Sequence, residues 1–121
     1  MLILVTGSRT WEDARSIRHA VFRALYETKT PFREAALIHG DCPTGADALA
    51  DAYALEVGMN VLKFPADWAR YGKRAGFVRN AEMVGEAPDI CLAFIRDGSR
   101  GATMTADLAE KAGIETRRFL A

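Results

Sequence analysis

Three glycine-containing segments carry hydroxyls, and two of them arginines, at spacings suited to holding an anion. The first is Thr6-Gly7-Ser8-Arg9-Thr10. A glycine lets backbone N–H groups turn towards a ligand, and Arg9 adds a forked cation matched to phosphate or carboxylate. The competing reading is a tight turn with a solvated arginine. GxGxxG is absent, so this is not a dinucleotide fingerprint. The second segment is His39-Gly40-Asp41-Cys42-Pro43-Thr44-Gly45-Ala46-Asp47. An apolar run, a glycine loop and a helix start follow one another there, an order that offers unpaired N–H groups and the positive helix end to an anion. Locally, Thr44 also fits an N-cap with Asp47 as its capping-box partner, and His39 fits a plain strand end. No Lys-Ser/Thr pair follows the glycine, so the segment is not an ATP-binding P-loop. The third is Gly98-Ser99-Arg100-Gly101-Ala102-Thr103 at the start of the last helix, a further anion nest.

A fourth cluster holds Asp67-Trp68, Tyr71, Lys73, Arg74, Arg79-Asn80 and Glu82-Met83. Trp68 or Tyr71 offers a face to a nucleobase, and Arg79 and Asn80 suit a phosphate or sugar. Against this, Trp68 also suits packing its loop onto the body, with the cations in solvent. The ligand-binding candidates are therefore Gly7, Ser8, Arg9, Gly40, Asp41, Thr44, Gly45, Ala46, Asp47, Trp68, Arg79, Asn80, Ser99, Arg100, Gly101 and Thr103.

The elements that must position these residues alternate. Short apolar runs at Leu2–Val5, Ala35–His39, Asn60–Phe64, Asp89–Ile95 and Glu115–Phe119 read as strands. Helical spacing runs from Trp11 to about Lys29, where Pro31 stops it, from Thr44-Gly45 to Val57 with Gly58 as C-cap, from Ala75 to Glu86, and from Ala102 to Ala112. Residues 66–74 read as a loop. The order predicts an α/β, Rossmann-like three-layer sandwich with a mainly parallel five-stranded sheet and a single domain over residues 1–121. In such sheets ligands sit beyond the carboxyl ends of the strands, where the strand order reverses. The segments after Val5, His39, Phe64 and Ile95 all fall on that edge.

Bulk properties narrow the function. The 121 residues carry 16 basic and 16 acidic side chains, a formal net charge of zero, which counts against a nucleic-acid-coating protein. Cys42 and Cys91 lack CxxC spacing, so neither a zinc site nor a disulfide framework is expected, and no cofactor is called for. Four consecutive apolar residues after Met1 are too few for a signal peptide or membrane span, and the cytoplasm is the expected compartment.

Gly7-Ser8-Arg9, His39-Gly40 through Thr44-Gly45-Ala46-Asp47, Phe64 to Trp68, Gly76 to Met83 with Arg79-Asn80, and Gly98 to Thr103 occur in that order. As an ordered set they resemble the YspA-like branch of the SLOG superfamily, over essentially the whole chain. The resemblance implies a Rossmann-like fold, a nucleotide or nucleotide-derived ligand and self-association. Many small YspA-like proteins occur in phage genomes, and relatives include LOG-type phosphoribohydrolases, DprA and sensor domains of antiphage systems.

Three functions follow as expectations. One is a sensor or sequestering protein for a nucleotide-derived ligand in phage–bacterium signalling. A second is a phosphoribohydrolase-type N-glycosidase acting on nucleoside monophosphates. LOG enzymes use an Arg before a Met-containing helix and a Glu after a PGGxGT loop. Arg79, with Met83 four residues on, resembles the first. Gly98–Thr103 matches the second loosely, without the Pro or the Glu. The candidate acids are then Glu82 and Asp107, because an oxocarbenium-like transition state needs a carboxylate near the sugar. The third is DprA-like single-stranded DNA binding, against which the neutral charge and few aromatic platforms count. The alanine-rich stretches Ala46–Ala54 and Ala102–Ala112 suit close packing against either a second copy, giving a homo-oligomer, or the sheet.

Overall fold

Each apolar run ends at a turn residue, and a helix carries the chain back to start the next strand alongside. The computed structural model describes residues 1–121. Strands β1 (Leu2–Gly7), β2 (Ala36–His39), β3 (Asn60–Lys63), β4 (Ile90–Ile95) and β5 (Glu115–Leu120) alternate with helices α1 (Ala14–Glu27), α2 (Gly45–Val57), α3 (Trp68–Tyr71), α4 (Ala75–Gly85) and α5 (Arg100–Lys111). Every strand pair is parallel, in the order β3-β2-β1-β4-β5. This is the Rossmann-like α/β arrangement that the alternation predicts.

β1 and β4 are continuously apolar because helices cover both of their faces. Ile3, Val5, Leu37, Leu92 and Phe94 meet Ile17 and Val21 of α1 and Ala50 and Tyr53 of α2. On the other face Leu4, Ile38 and Cys91 meet Met83 of α4 and Ala109 of α5, while Ala93 and Ile95 meet Ala102 and Ala106 of α5. The buried alanines of α2 and α5 thus lie against the chain's own sheet, where the small side chain lets each helix approach closely. No helix is long and apolar enough to cross a membrane.

The structure corrects four boundaries. α1 starts at Ala14 and not Trp11, because the Asp13 carboxylate accepts the Ser16 N–H at 3.1 Å and caps the helix there. Trp11 instead enters the core edge-on to Phe94, with centroids 5.4 Å apart. α1 also ends at Glu27, ahead of Pro31, where Lys29 turns left-handed at φ 53°. Residues 66–74 are not a plain loop. Asp67 caps the single turn of α3 by accepting the Arg70 N–H at 3.1 Å, and a 3-10 turn follows over Gly72–Arg74. α5 begins at Arg100, two residues before Ala102, so Gly101 lies inside its first turn. Gly58 does close α2 in the left-handed conformation.

β1 is bonded to β2 on one side and to β4 on the other. The chain therefore runs outward in both directions from this pair, and the β1–α1 and β4–α5 loops separate at the carboxyl edge to open a crevice.

Candidate functional site

A cavity of about 760 Å³ occupies that crevice. Gly7, Ser8, Arg9 and Thr10 line it from the β1–α1 loop, and Arg96, Ser99, Arg100, Gly101, Ala102 and Met104 from the β4–α5 side. α4 contributes Gly76, Phe77, Arg79, Asn80 and Met83. The β2–α2 side gives only Cys42 and Asp47.

The β1 loop is fastened across the crevice floor. Ser8 N–H donates to Phe94 O at 2.8 Å, and Ser8 Oγ accepts the Arg96 N–H at 2.8 Å. Gly7 is a glycine by necessity, since a Cβ there would collide with the Ala46 Cβ and stand 2.7 Å from Phe94 O. Ser8 O accepts N–H groups from Trp11 at 3.1 Å and Ala46 at 3.2 Å, so this carbonyl sits against the amino end of α2 and takes one of its first-turn N–H groups.

The β2–α2 loop satisfies itself. Asp47 Oδ2 accepts the Gly40 N–H at 3.1 Å and the Cys42 N–H at 3.3 Å. His39 Nδ1 accepts the Asp41 N–H at 2.9 Å, which leaves the ring proton on Nε2 to be given to Asp51 Oδ1 at 2.8 Å. His39 is thus a buried brace. The Thr44 hydroxyl donates to Arg9 O at 3.0 Å instead of capping α2. The capping box does not form, because Asp47 reaches back past Thr44 to the loop. Gly40, Asp41, Thr44, Gly45 and Ala46 stand outside the cavity wall and shape the loop behind it.

The β4–α5 loop is open. Gly98, at φ 63°, turns the chain into α5. The Thr103 N–H and hydroxyl both go to Ser99 O, which takes Thr103 out of the site. The N–H groups of Arg100, Gly101 and Ala102 belong to the first turn and have no acceptor in the protein, and all three residues line the cavity. Arg9 and Arg100 are exposed at its wall with no carboxylate partner, whereas Arg96 donates to Thr10 O at 2.8 Å. Helix-end N–H groups between unpaired guanidiniums make a seat for an anion.

Arg79 is held from α4. Its Nη1 donates to Gly40 O at 2.5 Å and Phe64 O at 3.4 Å, and its Nε to Asn80 Oδ1 at 2.7 Å. A Cβ at Gly40 would come within 2.6 Å of Nη1, so glycine there is what admits the guanidinium. Nη2 has no protein acceptor and is left for a ligand. Burial raises the Asp47 carboxyl above 3.8, against the lowering pull of the Cys42 N–H. Burial, helped by Asp47, also raises the Cys42 thiol above 9.0 and keeps it protonated and unreactive at neutral pH.

Three further sequence candidates are placed apart from the cavity. Glu82 is exposed on α4 and does not line it. Asp107 is exposed on α5 and bonds Arg118 Nη2 at 2.7 Å. Trp68 is half-exposed at the rim, its ring 3.6 Å from where a Gly76 Cβ would stand. Conversely, Phe77, Arg96 and Met104 line the cavity although no anion-binding pattern in the sequence includes them. Arg96 was open to detection, because it is the first residue beyond the apolar β4 run at the switch point. No three His, Cys, Asp or Glu side chains gather as metal ligands.

The model of the YspA, cpYpsA-related SLOG family matches residues 1–71, which contain β1, β2, β3 and the first two of these loops. The chain belongs to this family. It is also similar to the Gene 61 protein of Mycobacterium phage D29, with 38% identity over 122 residues, covering 97% of this chain and 94% of the relative. No solved structure matches. The SLOG family match ends at Tyr71, so α4 and α5, which supply Arg79 and the open helix end, lie beyond it.

Proposed function

We propose that this SLOG-family chain binds a nucleotide or nucleotide-derived ligand in the β1/β4 crevice, as a sensor or sequestering protein. The observation that carries the reading is the open amino end of α5, with three unpartnered N–H groups between Arg9 and Arg100. A phosphate fits there in charge and in hydrogen-bonding sense. Phe77, Met83 and Met104 give the same cavity an apolar wall for a base. A phosphate with an attached planar group matches both ends. Family membership agrees with a nucleotide-related role, and the phage relative agrees with a place in phage–bacterium signalling. Binding is favoured over glycosidic cleavage because neither Glu82 nor Asp107 lines the cavity, and its one carboxylate, Asp47, is tied into the loop by the Gly40 and Cys42 N–H groups.

The test is thermal shift and calorimetry with a panel of nucleoside mono-, di- and cyclic phosphates. At least one should raise the melting temperature with concentration, since a ligand that binds only the folded chain stabilises it. Arg100→Ala should abolish most of that shift, and chromatography should find no released base. A panel with no shift at all contradicts the reading, and base release that Arg79→Ala abolishes would replace it with the hydrolase.

A further inference from the structure

Asp47 is the one carboxylate in the cavity wall, facing four arginines, Arg9, Arg79, Arg96 and Arg100. The residue is 5% exposed. Oδ2 is occupied by the Gly40 and Cys42 N–H groups and the Cys42 thiol also bonds the carboxylate, but no N–H or O–H of the protein bonds Oδ1. No fully enclosed side-chain polar atom lacks a partner in this protein, so Oδ1 opens onto the cavity. Arg79 makes no hydrogen bond to it, since Nη1 goes to Gly40 O and Phe64 O and Nε to Asn80 Oδ1, although its charge favours the ionised carboxylate. An acceptor-only group with a lone pair open to a donor-lined site selects a ligand atom with a hydrogen to give.

On a nucleotide those atoms are sugar hydroxyls and exocyclic base amines. The topology separates them. Asp47 follows β2 and the α5 end follows β4, with β1 between them. Two strand spacings, about 10 Å, part the two sides. Phe77 and Met104 sit on α4 and α5, on the opposite sheet face from α2. With phosphate at α5 and base against Phe77, the sugar is the part that crosses β1 towards Asp47. We infer that Asp47 reads the sugar, its free oxygen accepting a hydrogen bond from the ribose hydroxyl pair, so that the ligand is a ribonucleotide. The inference rests on the nucleotide-binding reading above.

The experiment titrates wild type and Asp47→Asn with ribo-, 2′-deoxyribo- and 2′,3′-dideoxyribonucleoside monophosphates of one base, with inorganic phosphate as a control. Wild type should lose roughly tenfold or more in affinity from the ribo to the dideoxy ligand, as expected for a hydrogen bond to a charged group. In Asp47→Asn that ratio should fall towards one while inorganic phosphate binds no more weakly than to wild type, because the variant removes a negative charge from an anion site. A merely structural Asp47 would lower all affinities together and leave the ratio intact, which overturns the inference. So does equal binding of ribo and dideoxy ligands by wild type, a result that needs no variant to fold. An adenosine–inosine monophosphate pair distinguishes the base amine, and a preference there without a sugar preference also overturns it. In these cases the nucleotide reading survives, whereas failure of every nucleotide to bind removes both.

Discussion

The β2–α2 and β4–α5 loops are built from the same kinds of residue, and both lead into the amino end of a helix at the same sheet edge. In the first, Asp47 takes the Gly40 and Cys42 N–H groups, Ser8 O stands against the helix end on the Ala46 N–H, and Gly45 and Ala46 lie outside the cavity wall. In the second, the N–H groups of Arg100, Gly101 and Ala102 have no acceptor and face the cavity. A helix amino end is an anion site only while nothing else fills it. Whether it is filled depends on a neighbouring segment, here the carbonyl of Ser8, and on where one side chain points. The first loop is a brace and the second a seat.

The largest expected effect bears on the brace. Gly45 has φ 75°, and a Cβ there would collide with Ser8 O and stand 2.6 Å from the Arg9 backbone. Gly45→Ala should destabilise the fold by about 3 kcal/mol, overpacking adding to left-handed strain. Gly98 has φ 63° but open space around its Cβ position, so Gly98→Ala should lose only about 1 kcal/mol. Urea unfolding measures both, and equal losses would break the contrast.

Asp47→Ala should follow, lowering stability by about 2 kcal/mol because two loop N–H groups lose their acceptor. Arg100→Ala should do the reverse. Its exposed side chain holds nothing together, so stability should stay within about 0.5 kcal/mol while nucleotide affinity falls roughly tenfold. A large stability loss in Arg100→Ala would show the seat to be a brace as well.

The pH dependence sharpens the role of Asp47. Burial raises its carboxyl in the folded chain above 3.8. The folded protein then takes up this proton at a higher pH than the unfolded chain does. The contribution of the group to stability should therefore grow as pH falls through its folded pKa towards 3.8, and be absent well above that window. Wild type should gain on Asp47→Asn as the pH is lowered in paired urea titrations, and a constant difference would contradict the shift. Smallest of all, Glu82→Gln and Asp107→Asn should change nucleotide binding by less than twofold in calorimetry, since both side chains lie outside the cavity.

Much of this architecture is legible in the sequence. The apolar runs of β1 and β4 declare strands covered on both faces, Gly58 marks the end of α2, and the alternation places every candidate loop on one edge. The failures are local and physical. α3 is a single turn capped by Asp67, too short to show a period. α5 starts early because Gly101 looks like loop while sitting in a helical turn. Gly7, Gly40 and Gly45 read as ligand glycines, yet each makes room for another part of the protein: Ala46, Arg79 and Ser8. The direction of Asp47, and the removal of Asp107 by Arg118 from β5, depend on contacts between distant segments that no local pattern carries.

The most direct test is a titration of the ¹⁵N-labelled protein with a nucleoside monophosphate, followed by amide chemical shifts. The largest changes are expected at Arg100, Gly101 and Ala102, with smaller ones at Gly40 and Cys42, whose N–H groups bond the Asp47 carboxylate, and little at Ala46. The reverse pattern, or saturable binding that leaves residues 100–102 unmoved, would contradict that expectation.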